Sequence, residues 1–273
     1  MNQSNKNIWY WQGHKVSWKL TGAKPTAPLA TVLIHGFGGC KEHWRKNQEV
    51  IGKIVPCFSI DLIGFGESSQ PTSCLKQENP KQGAFIYCFD NWSQQIIDFC
   101  HEVVKVPVIL IGNSIGGVIA LKASKEIKCG CKSLILIDCA QRTMDDKRLN
   151  EQALPMRLIR PMIKNLVQQR WLSQTLFQNL AKANFIKSVL KVAYPSGSNI
   201  DGELISILHK PTQRKGASEA FRGFINLFDD HLAPQLMNDL NIPIDLIWGE
   251  SDPWESLEEA QGWLNTFDCI HSL

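Results

Sequence analysis

The stretch GNSIGG at residues 112–117 stands between a strand-like run and a helix-like run. Before it lies PVILI (107–111), a short apolar run typical of a buried strand, and after it VIALKA (118–123) has the composition of a helix. A Gly-x-Ser-x-Gly turn in this context is a nucleophile elbow, which exposes a serine hydroxyl and needs small residues two positions on either side. No Gly-Lys-Ser/Thr or Gly-x-Gly-x-x-Gly phosphate signature competes with this interpretation. The pattern therefore predicts Ser114 as a nucleophile.

Other apolar segments place the elbow in a larger pattern. They are TVLIHGFGG (31–39), VPCFSIDLIGFGES (55–68), SLILID (133–138) and IDLIWGESDP (244–253). Strands that alternate with helices favour a parallel sheet with helices on both faces. In this order the segments resemble the α/β-hydrolase fold, which implies a triad in the chain order serine, acid, histidine. The expected fold class is α/β, with a mostly parallel sheet of α/β-hydrolase type and a helical cap insertion.

Two motifs look like one branch of that superfamily. DLIGFG (61–66) and WGESDPW (248–254) are similar to the cyanobacterial and plastid branch that includes pheophytinase and chlorophyll dephytylase. The resemblance implies a small to medium hydrophobic ester as substrate, with a prenyl-type ester as the expectation for the branch.

The strand-like pattern stops at about residue 141 and resumes at about 229. We therefore predict a first core segment over residues 1–140, a helical cap over 141–228 and a second core segment over 229–273. The cap has 14 basic and 6 acidic residues, a net charge of +8, although the whole chain is only +3. Two arrangements remain open. The cap could contact anionic membrane lipid peripherally, or its charges could face water while its apolar residues pack on the core. The apolar residues concerned are Leu158, Ile159, Met162, Ile163, Leu166, Val167 and Trp171.

Composition limits the remaining classes of protein. A chain of 273 residues with 44% hydrophobic residues suits one α/β domain with an insertion. No apolar run approaches the ~18 residues of a membrane span, and the polar start (1–7) lacks the apolar region of a signal peptide. Nine scattered cysteines predict a reducing, cytoplasmic compartment. Cys129 and Cys131 have no second pair and no nearby histidine, so we expect no metal site. No cofactor and no nucleic-acid partner are expected either.

The resemblance assigns further roles around Ser114. The backbone N–H groups of Ile115 and Phe37 would form the oxyanion hole. Asp252, just past a strand, is the predicted acid of the triad, and Asp138 at the end of the preceding strand is an alternative. Asp245 within the strand and Glu250 early in the turn are weaker candidates. Asp61 opens a glycine-rich turn and is predicted to bond its own loop.

The base of the triad is harder to assign among the seven histidines. His35 belongs to the oxyanion loop and is expected to support it. His271 follows Asp252 by 19 residues and is predicted to lie in a strand, whereas the family pattern places the base in the loop after that strand. The chain is therefore expected to lack the Gly-His segment and to be truncated at its C-terminus. The others are predicted in the first hairpin (His14), on helix surfaces (His43, His101) and in or beside the cap (His209, His231).

These observations predict a serine hydrolase that cleaves a hydrophobic carboxylic ester through an acyl-enzyme on Ser114, weakened or inactive because its base is missing. Two alternatives remain: a carbon–carbon bond hydrolase of the same fold, since such enzymes resemble the GNSIGG elbow, and a catalytically dead hydrolase-fold binding protein. Epoxide hydrolase and haloalkane dehalogenase chemistry is disfavoured, because those mechanisms need a carboxylate at position 114.

Overall fold

A computed structural model describes residues 7–22, 27–197 and 200–273 of the chain. The polar start of the sequence and part of the loop before the third strand lie outside these residues. The chain divides into two compact units. We call them the sheet unit (Met1–Ser68, Phe89–Gln141 and His231–Leu273) and the helical unit (Ser69–Cys88 and Arg142–Asp230).

The described part of the sheet unit forms one eight-stranded sheet. Its strands are β1 (Asn7–Trp11), β2 (His14–Thr21), β3 (Ala30–Ile34), β4 (Cys57–Ile60), β5 (Val108–Asn113), β6 (Cys131–Ile137), β7 (Ile244–Ile247) and β8 (Ile270–Ser272). The spatial order is β1-β2-β4-β3-β5-β6-β7-β8. The pairs β1–β2 and β2–β4 are antiparallel, and every other pair is parallel. This mostly parallel sheet confirms the predicted fold class.

Helices connect the parallel strands. In chain order the helices of the described residues are α1 (Arg45–Ile51), α2 (Phe89–Phe99), α3 (Ile115–Ser124), α4 (Leu154–Gln168), α5 (Arg170–Leu180), α6 (Ala183–Ala193), α7 (Gly202–Thr212), α8 (Ala217–Ile225), α9 (Ala233–Met237) and α10 (Leu257–Thr266). Five of them, α4 to α8, belong to the helical unit. No helix among the described residues is both long and apolar enough to cross a bilayer.

The core of the sheet unit lies around β3, β4, β5 and α3. Every residue of β3 and β4 is buried, and α3 buries all but one of its residues. Strands covered on both faces read as continuous apolar runs rather than as alternating patterns. This explains why β3 (ATVLI) and β5 (VILIGN) could be recognised from composition alone.

In the helical unit, residues 142–197 and 200–230 contain helices and no strand. Residues 69–88 are grouped with these helices, whereas the predicted division assigned them to the first core segment. The reason is a set of long-range polar contacts. Arg222 Nη2 lies 2.6 Å from Glu78 Oε1, and Glu219 accepts hydrogen bonds from the backbone N–H and the hydroxyl of Ser73 at 2.8 and 2.7 Å. That the helical segment covers Ser114 as a cap stays a prediction.

The orientation of α4 differs from that of an ordinary surface helix. Leu158 is 79% exposed and Met162 59% exposed, whereas Arg160 is only 3% exposed. Arg160 donates to the carboxylate of Asp146 and to the carbonyl oxygen of Met144. Leu158 and Met162 of α4 thus face water while Arg160 is buried, and the choice between the two arrangements predicted for the cap stays open.

Candidate active site

Ser114 occupies the sharp turn between β5 and α3. Its backbone has φ 53° and ψ −121°, a left-handed conformation that residues other than glycine rarely adopt. A Cβ atom at Gly112 would overlap the backbone of Gly116, and one at Gly116 would overlap the carbonyl oxygen of Ile34. The turn therefore requires glycine on both sides of the serine, as the sequence pattern predicted.

Backbone hydrogen bonds hold this turn in place. The N–H of Ser114 donates to the carbonyl of Ile137 at 3.0 Å, and the carbonyl of Ser114 accepts from Ala140 N–H at 3.1 Å. The side-chain amide of Asn113 also donates to Ile137 O, at 3.2 Å. Ser114 is half-buried. The nucleophile is thus fixed between β5 and the loop after β6, and the strain of its backbone is balanced by these bonds.

The loop after β3 lies directly against the serine. A Cβ atom added to Gly36 would lie 3.1 Å from the Cβ of Ser114, so the backbone here approaches as closely as glycine allows. Phe37 follows Gly36, and a turn closes where Gly39 N–H donates to Gly36 O at 3.1 Å. Ile115 is the first residue of α3, so its N–H has no acceptor within the helix. This geometry is compatible with Phe37 and Ile115 as oxyanion donors, which stay a prediction.

His35 anchors that loop. Its Nε2 accepts a hydrogen bond from Leu62 N–H at 3.1 Å, so Nδ1 carries the proton and donates to Gly36 O at 2.8 Å. The side chain is buried, and burial lowers the pKa of His35 to about 4. His35 is therefore neutral near pH 7 and connects β3 to the turn after β4, which is a supporting position.

Asp61 and Lys41 form a buried ion pair beneath the same loop. Lys41 Nζ lies 3.0 Å from Asp61 Oδ2 and 2.9 Å from Glu67 Oε2, and Lys41 N–H donates to Asp61 Oδ1 at 2.6 Å. Burial raises the pKa of Asp61 to about 6, although Lys41 acts in the opposite direction. Asp61 also accepts from Glu67 N–H at 2.8 Å, so it binds its own turn as predicted. The burial of Lys41 carried no sequence signal.

Two carboxylates lie on the neighbouring loops after β6 and β7. Asp252 Oδ1 accepts hydrogen bonds from the N–H groups of Trp254 and Glu255, at 2.8 and 2.7 Å. Asp138 has a positive φ of 43°, and its Oδ1 accepts from Gly249 N–H at 2.7 Å. Burial raises the pKa of Asp138, and the charge of Asp252 raises it further. The predicted acid and its alternative are therefore electrostatic neighbours.

Glu255 is a third acidic group at this position, and sequence reasoning missed it. Its Oε2 accepts from Gln141 N–H at 2.8 Å, and burial raises the pKa of Glu255 to about 7, with smaller contributions from Asp252, Glu259 and Asp138. Its position three residues after Asp252 was the available signal. Of the weaker candidates, Asp245 lies within β7 and accepts from Ser272 Oγ at 2.6 Å, and Glu250 lies in the loop after β7 and is exposed.

The structure does not bring a histidine to these groups. Throughout the described residues, no histidine is hydrogen-bonded to Ser114, Asp138 or Asp252. His271 is exposed and lies in β8, as predicted, beside the beginning of β7 rather than its end. His231 Nε2 lies 2.7 Å from Asp90 Oδ1 at the start of α2. His101 accepts from Lys128 N–H at 2.8 Å, and His209 contacts Gln213 in the helical unit.

Comparison with known proteins agrees with this architecture. A profile of the alpha/beta hydrolase fold family matches residues 31–267, and the chain belongs to this family. It is 26% identical over 223 residues to the uncharacterized hydrolase YugF of Bacillus subtilis (strain 168), covering 81% of this chain and 72% of that protein. It is 26% identical to the human (lyso)-N-acylphosphatidylethanolamine lipase over 246 residues, covering 82% of this chain and 65% of that protein.

The chain is also similar to a plastid enzyme. It is 22% identical over 266 residues to chloroplastic pheophytinase of Arabidopsis thaliana, covering 88% of this chain and 55% of that protein. The chain thus spans less than two thirds of the human and Arabidopsis relatives. Among solved structures, a putative lipase of Acinetobacter baumannii AYE superposes with a TM-score of 0.71 at 18% identity, covering 98% of this chain and 82% of that one. This last similarity concerns the fold alone.

Proposed function

We propose that this chain is a serine hydrolase that cleaves a hydrophobic carboxylic ester through an acyl-enzyme on Ser114. The observation that carries the proposal is the strained elbow, where Ser114 has φ 53° between a buried strand and a helix N-terminus. A non-glycine residue in this conformation costs free energy, and such strain is typical of functional sites. The names of two relatives, a lipase and a pheophytinase, support a hydrophobic ester as the substrate class.

In the proposed reaction, Ser114 Oγ attacks the ester carbonyl carbon and its proton passes to a base. The N–H groups of Phe37 and Ile115 stabilise the oxyanion that forms, and each such donor is typically worth ~3–4 kcal/mol. The carbon–oxygen bond then breaks, the alcohol leaves with the proton, and water hydrolyses the acyl-enzyme. Asp252 would orient the base. When they are ionised, Asp138 and Glu255 add negative charge near Asp252, which would stabilise a protonated imidazole.

Labelling with a fluorophosphonate tests the nucleophile. We expect the probe to label Ser114 once a base is supplied by the C-terminal extension described below, with the labelled peptide identified by mass spectrometry and the label absent from Ser114→Ala in the same extended chain. Ser68 (buried) and Ser251 (exposed) offer matched serine-to-alanine controls in other loops of the same unit. Labelling that persists in Ser114→Ala would remove the assignment.

Adding a segment that carries a histidine tests whether a missing base limits the activity. We expect the 273-residue chain to hydrolyse nitrophenyl esters only at a residual rate, because removing the base of a triad leaves only catalysis by the oxyanion hole and binding, roughly 10³–10⁴-fold over water. A homologous segment with a Gly-His loop, appended after β8, should restore turnover, and the same segment with alanine for that histidine should not. Robust hydrolysis by the unextended chain that is lost in His271→Ala would show instead that His271 is the base.

A catalytically inactive binding protein is the alternative from another class. It is favoured by the lack of any hydrogen bond between Ser114 and a histidine in the part of the chain that the structure describes. An extended chain that stays inactive, but still binds a long-chain ester without turnover, would support this alternative. Turnover of a dienoic diketone in preference to nitrophenyl esters would favour carbon–carbon bond hydrolysis.

A reducing, cytoplasmic compartment is proposed on separate grounds. The nine cysteines all belong to the described residues and are free thiols, most of them buried. Burial raises the pKa of several of them, including Cys57 and Cys131 to about 12, which keeps them protonated and unreactive. A thiol titration of the denatured protein, isolated without reductant, should find nine free thiols. A markedly lower number would contradict the proposal.

A further inference from the structure

Helix α4 presents an apolar face to the surface of the protein. Leu154, Leu158, Met162 and Leu166 follow one another at intervals of four residues and are 69%, 79%, 59% and 44% exposed. Residues four apart lie on the same side of a helix. Helices of globular proteins normally bury such a stripe, because each large apolar side chain left in water forfeits about 1.5–3 kcal/mol.

Exposed apolar side chains also occur on the two following helices. We call the exposed apolar side chains of the three helices the α4–α6 face; they are Leu154, Leu158, Ile159, Met162, Leu166, Trp171, Leu176, Phe185, Val189 and Val192. Because α5 packs against both α4 and α6, this concentration of exposed apolar side chains on neighbouring helices is typical of an interaction site.

The charge of the same segment is entirely of one sign. No aspartate or glutamate occurs between Glu151 and Asp201, whereas α4, α5 and α6 together carry six basic residues and Lys182 directly precedes α6. Three of these, Arg160, Lys164 and Arg170, pair with Asp146 and Glu219. Three lysines in or directly before α6 are exposed and form no ion pair with any residue that the structure describes; they are Lys182, Lys187 and Lys191.

We propose that the α4–α6 face docks onto the surface of an anionic lipid bilayer. Such a surface accepts both features at once: apolar side chains enter the boundary between headgroups and acyl chains, and lysines stay among the phosphates. A second copy of this chain would bring like charges together, and nucleic acid offers little surface for so many aliphatic side chains. Helix α4, with 15 residues, is about 22 Å long and would lie in the plane of the interface.

Sedimentation with lipid vesicles tests this proposal without any need for hydrolysis. The protein is mixed with phosphatidylcholine vesicles and with vesicles that contain about a third phosphatidylglycerol. We expect binding to the anionic vesicles that weakens as salt is added, and little binding to the neutral ones.

Two sets of variants assign the binding to this face. Leu158→Gln with Met162→Gln should weaken binding at least tenfold, because each side chain loses its burial in the interface. Its control is Val50→Gln with Ile54→Gln, two exposed apolar residues of the sheet unit. Lys182→Gln, Lys187→Gln and Lys191→Gln together should weaken binding roughly a hundredfold at low salt. Their control, Lys125→Gln, Lys128→Gln and Lys132→Gln, removes the same charge from exposed positions in the sheet unit.

Depth in the bilayer is measured on Trp171. Lipids brominated in their acyl chains should quench the protein fluorescence, and the quenching should fall in Trp171→Phe, whose side chain is exposed and so is not needed for folding. Equal binding to neutral and anionic vesicles, or equal loss in the face variants and their controls, would overturn the proposal. So would binding to an acidic protein or self-association through these residues in the absence of any vesicle binding.

Discussion

Replacing Lys41 with methionine should destabilise the sheet unit more than any change to an exposed charge. The side chain of Lys41 is fully buried and contacts the fully buried carboxylate of Asp61 at 3.0 Å. Its other partners, Glu42 and Glu67, are about one third exposed and can turn to water when the ammonium group is removed. The carboxylate of Asp61 cannot turn to water, because its two oxygens accept hydrogen bonds from the N–H groups of Lys41 and Glu67.

The magnitude follows from that geometry. Two unit charges 3 Å apart attract by roughly 5–6 kcal/mol at an effective dielectric constant of 20, and removing one partner of a buried pair costs about 3–5 kcal/mol. The loss should depend on pH. Without Lys41, the pKa of Asp61 rises further above its present value of about 6, so the folded variant takes up a proton that the unfolded chain does not bind. The deficit should therefore be largest near pH 8 and smaller near pH 5.

Urea unfolding followed by tryptophan fluorescence at both pH values measures the loss in the free energy of unfolding. The double variant Lys41→Met with Asp61→Asn is the matched control, and it should recover part of the stability at pH 8 and lose the pH dependence. A Lys41→Met protein within about 1 kcal/mol of the wild type at pH 8, or a deficit that grows as the pH falls, would refute the reasoning.

Two further predictions concern the active-site loops. Gly112→Ala should lower the free energy of unfolding by about 1–3 kcal/mol or prevent folding, because the new Cβ overlaps the backbone of Gly116. Gly262→Ala in α10, where a Cβ meets no atom within 4 Å, should raise the free energy of unfolding by about 0.5–1 kcal/mol. Thermal unfolding compares the two variants, and equal effects would contradict the steric argument. His35 should make folding less favourable as the pH falls from 6.5 towards its folded pKa of about 4, by up to ~3 kcal/mol, because the unfolded chain binds a proton that the buried imidazole refuses. His35→Gln should remove that dependence, and an unchanged pH profile in the variant would show that another group is responsible.

The sequence could predict features that depend on residues close together in the chain or on the apolar pattern of a single strand or helix. The elbow is defined by neighbouring residues: Gly112, Ser114 and Gly116 meet within a single turn, so their spacing in the chain already contains the steric requirement. Strands β3 and β4 are buried on both faces, so apolar composition identifies them. The position of His271 in β8 followed from counting a helix and a strand after Asp252.

What could not be predicted depends on contacts between distant segments. Periodicity shows that α4 has an apolar face, but only the pairing of Arg160 with Asp146 determines that this face points outward. In the same way, nothing near Glu78 in sequence indicates its partner Arg222, 144 residues away. Lys41 is of a residue type normally found at the surface, and it is buried here because it pairs with Asp61, which directly follows β4. Each of these is a charged residue, whose burial depends on a partner that sequence patterns do not identify.

The register of the sheet determines where a base for Ser114 can stand. Asn113 of β5 pairs with Ile137 of β6, which pairs with Ile247 of β7, so the loops carrying Ser114, Asp138 and Asp252 leave the sheet at one level. The last pair between β7 and β8 joins Asp245 to Ser272, two residues earlier, or roughly 7 Å along the strand. In the extended chain of the test above, a base placed in the loop after β8 should therefore stand at least two residues beyond Ser272. His271 lies at the irregularity in that pairing, beside the beginning of β7, and therefore below the level at which the loops carrying Ser114, Asp138 and Asp252 leave the sheet.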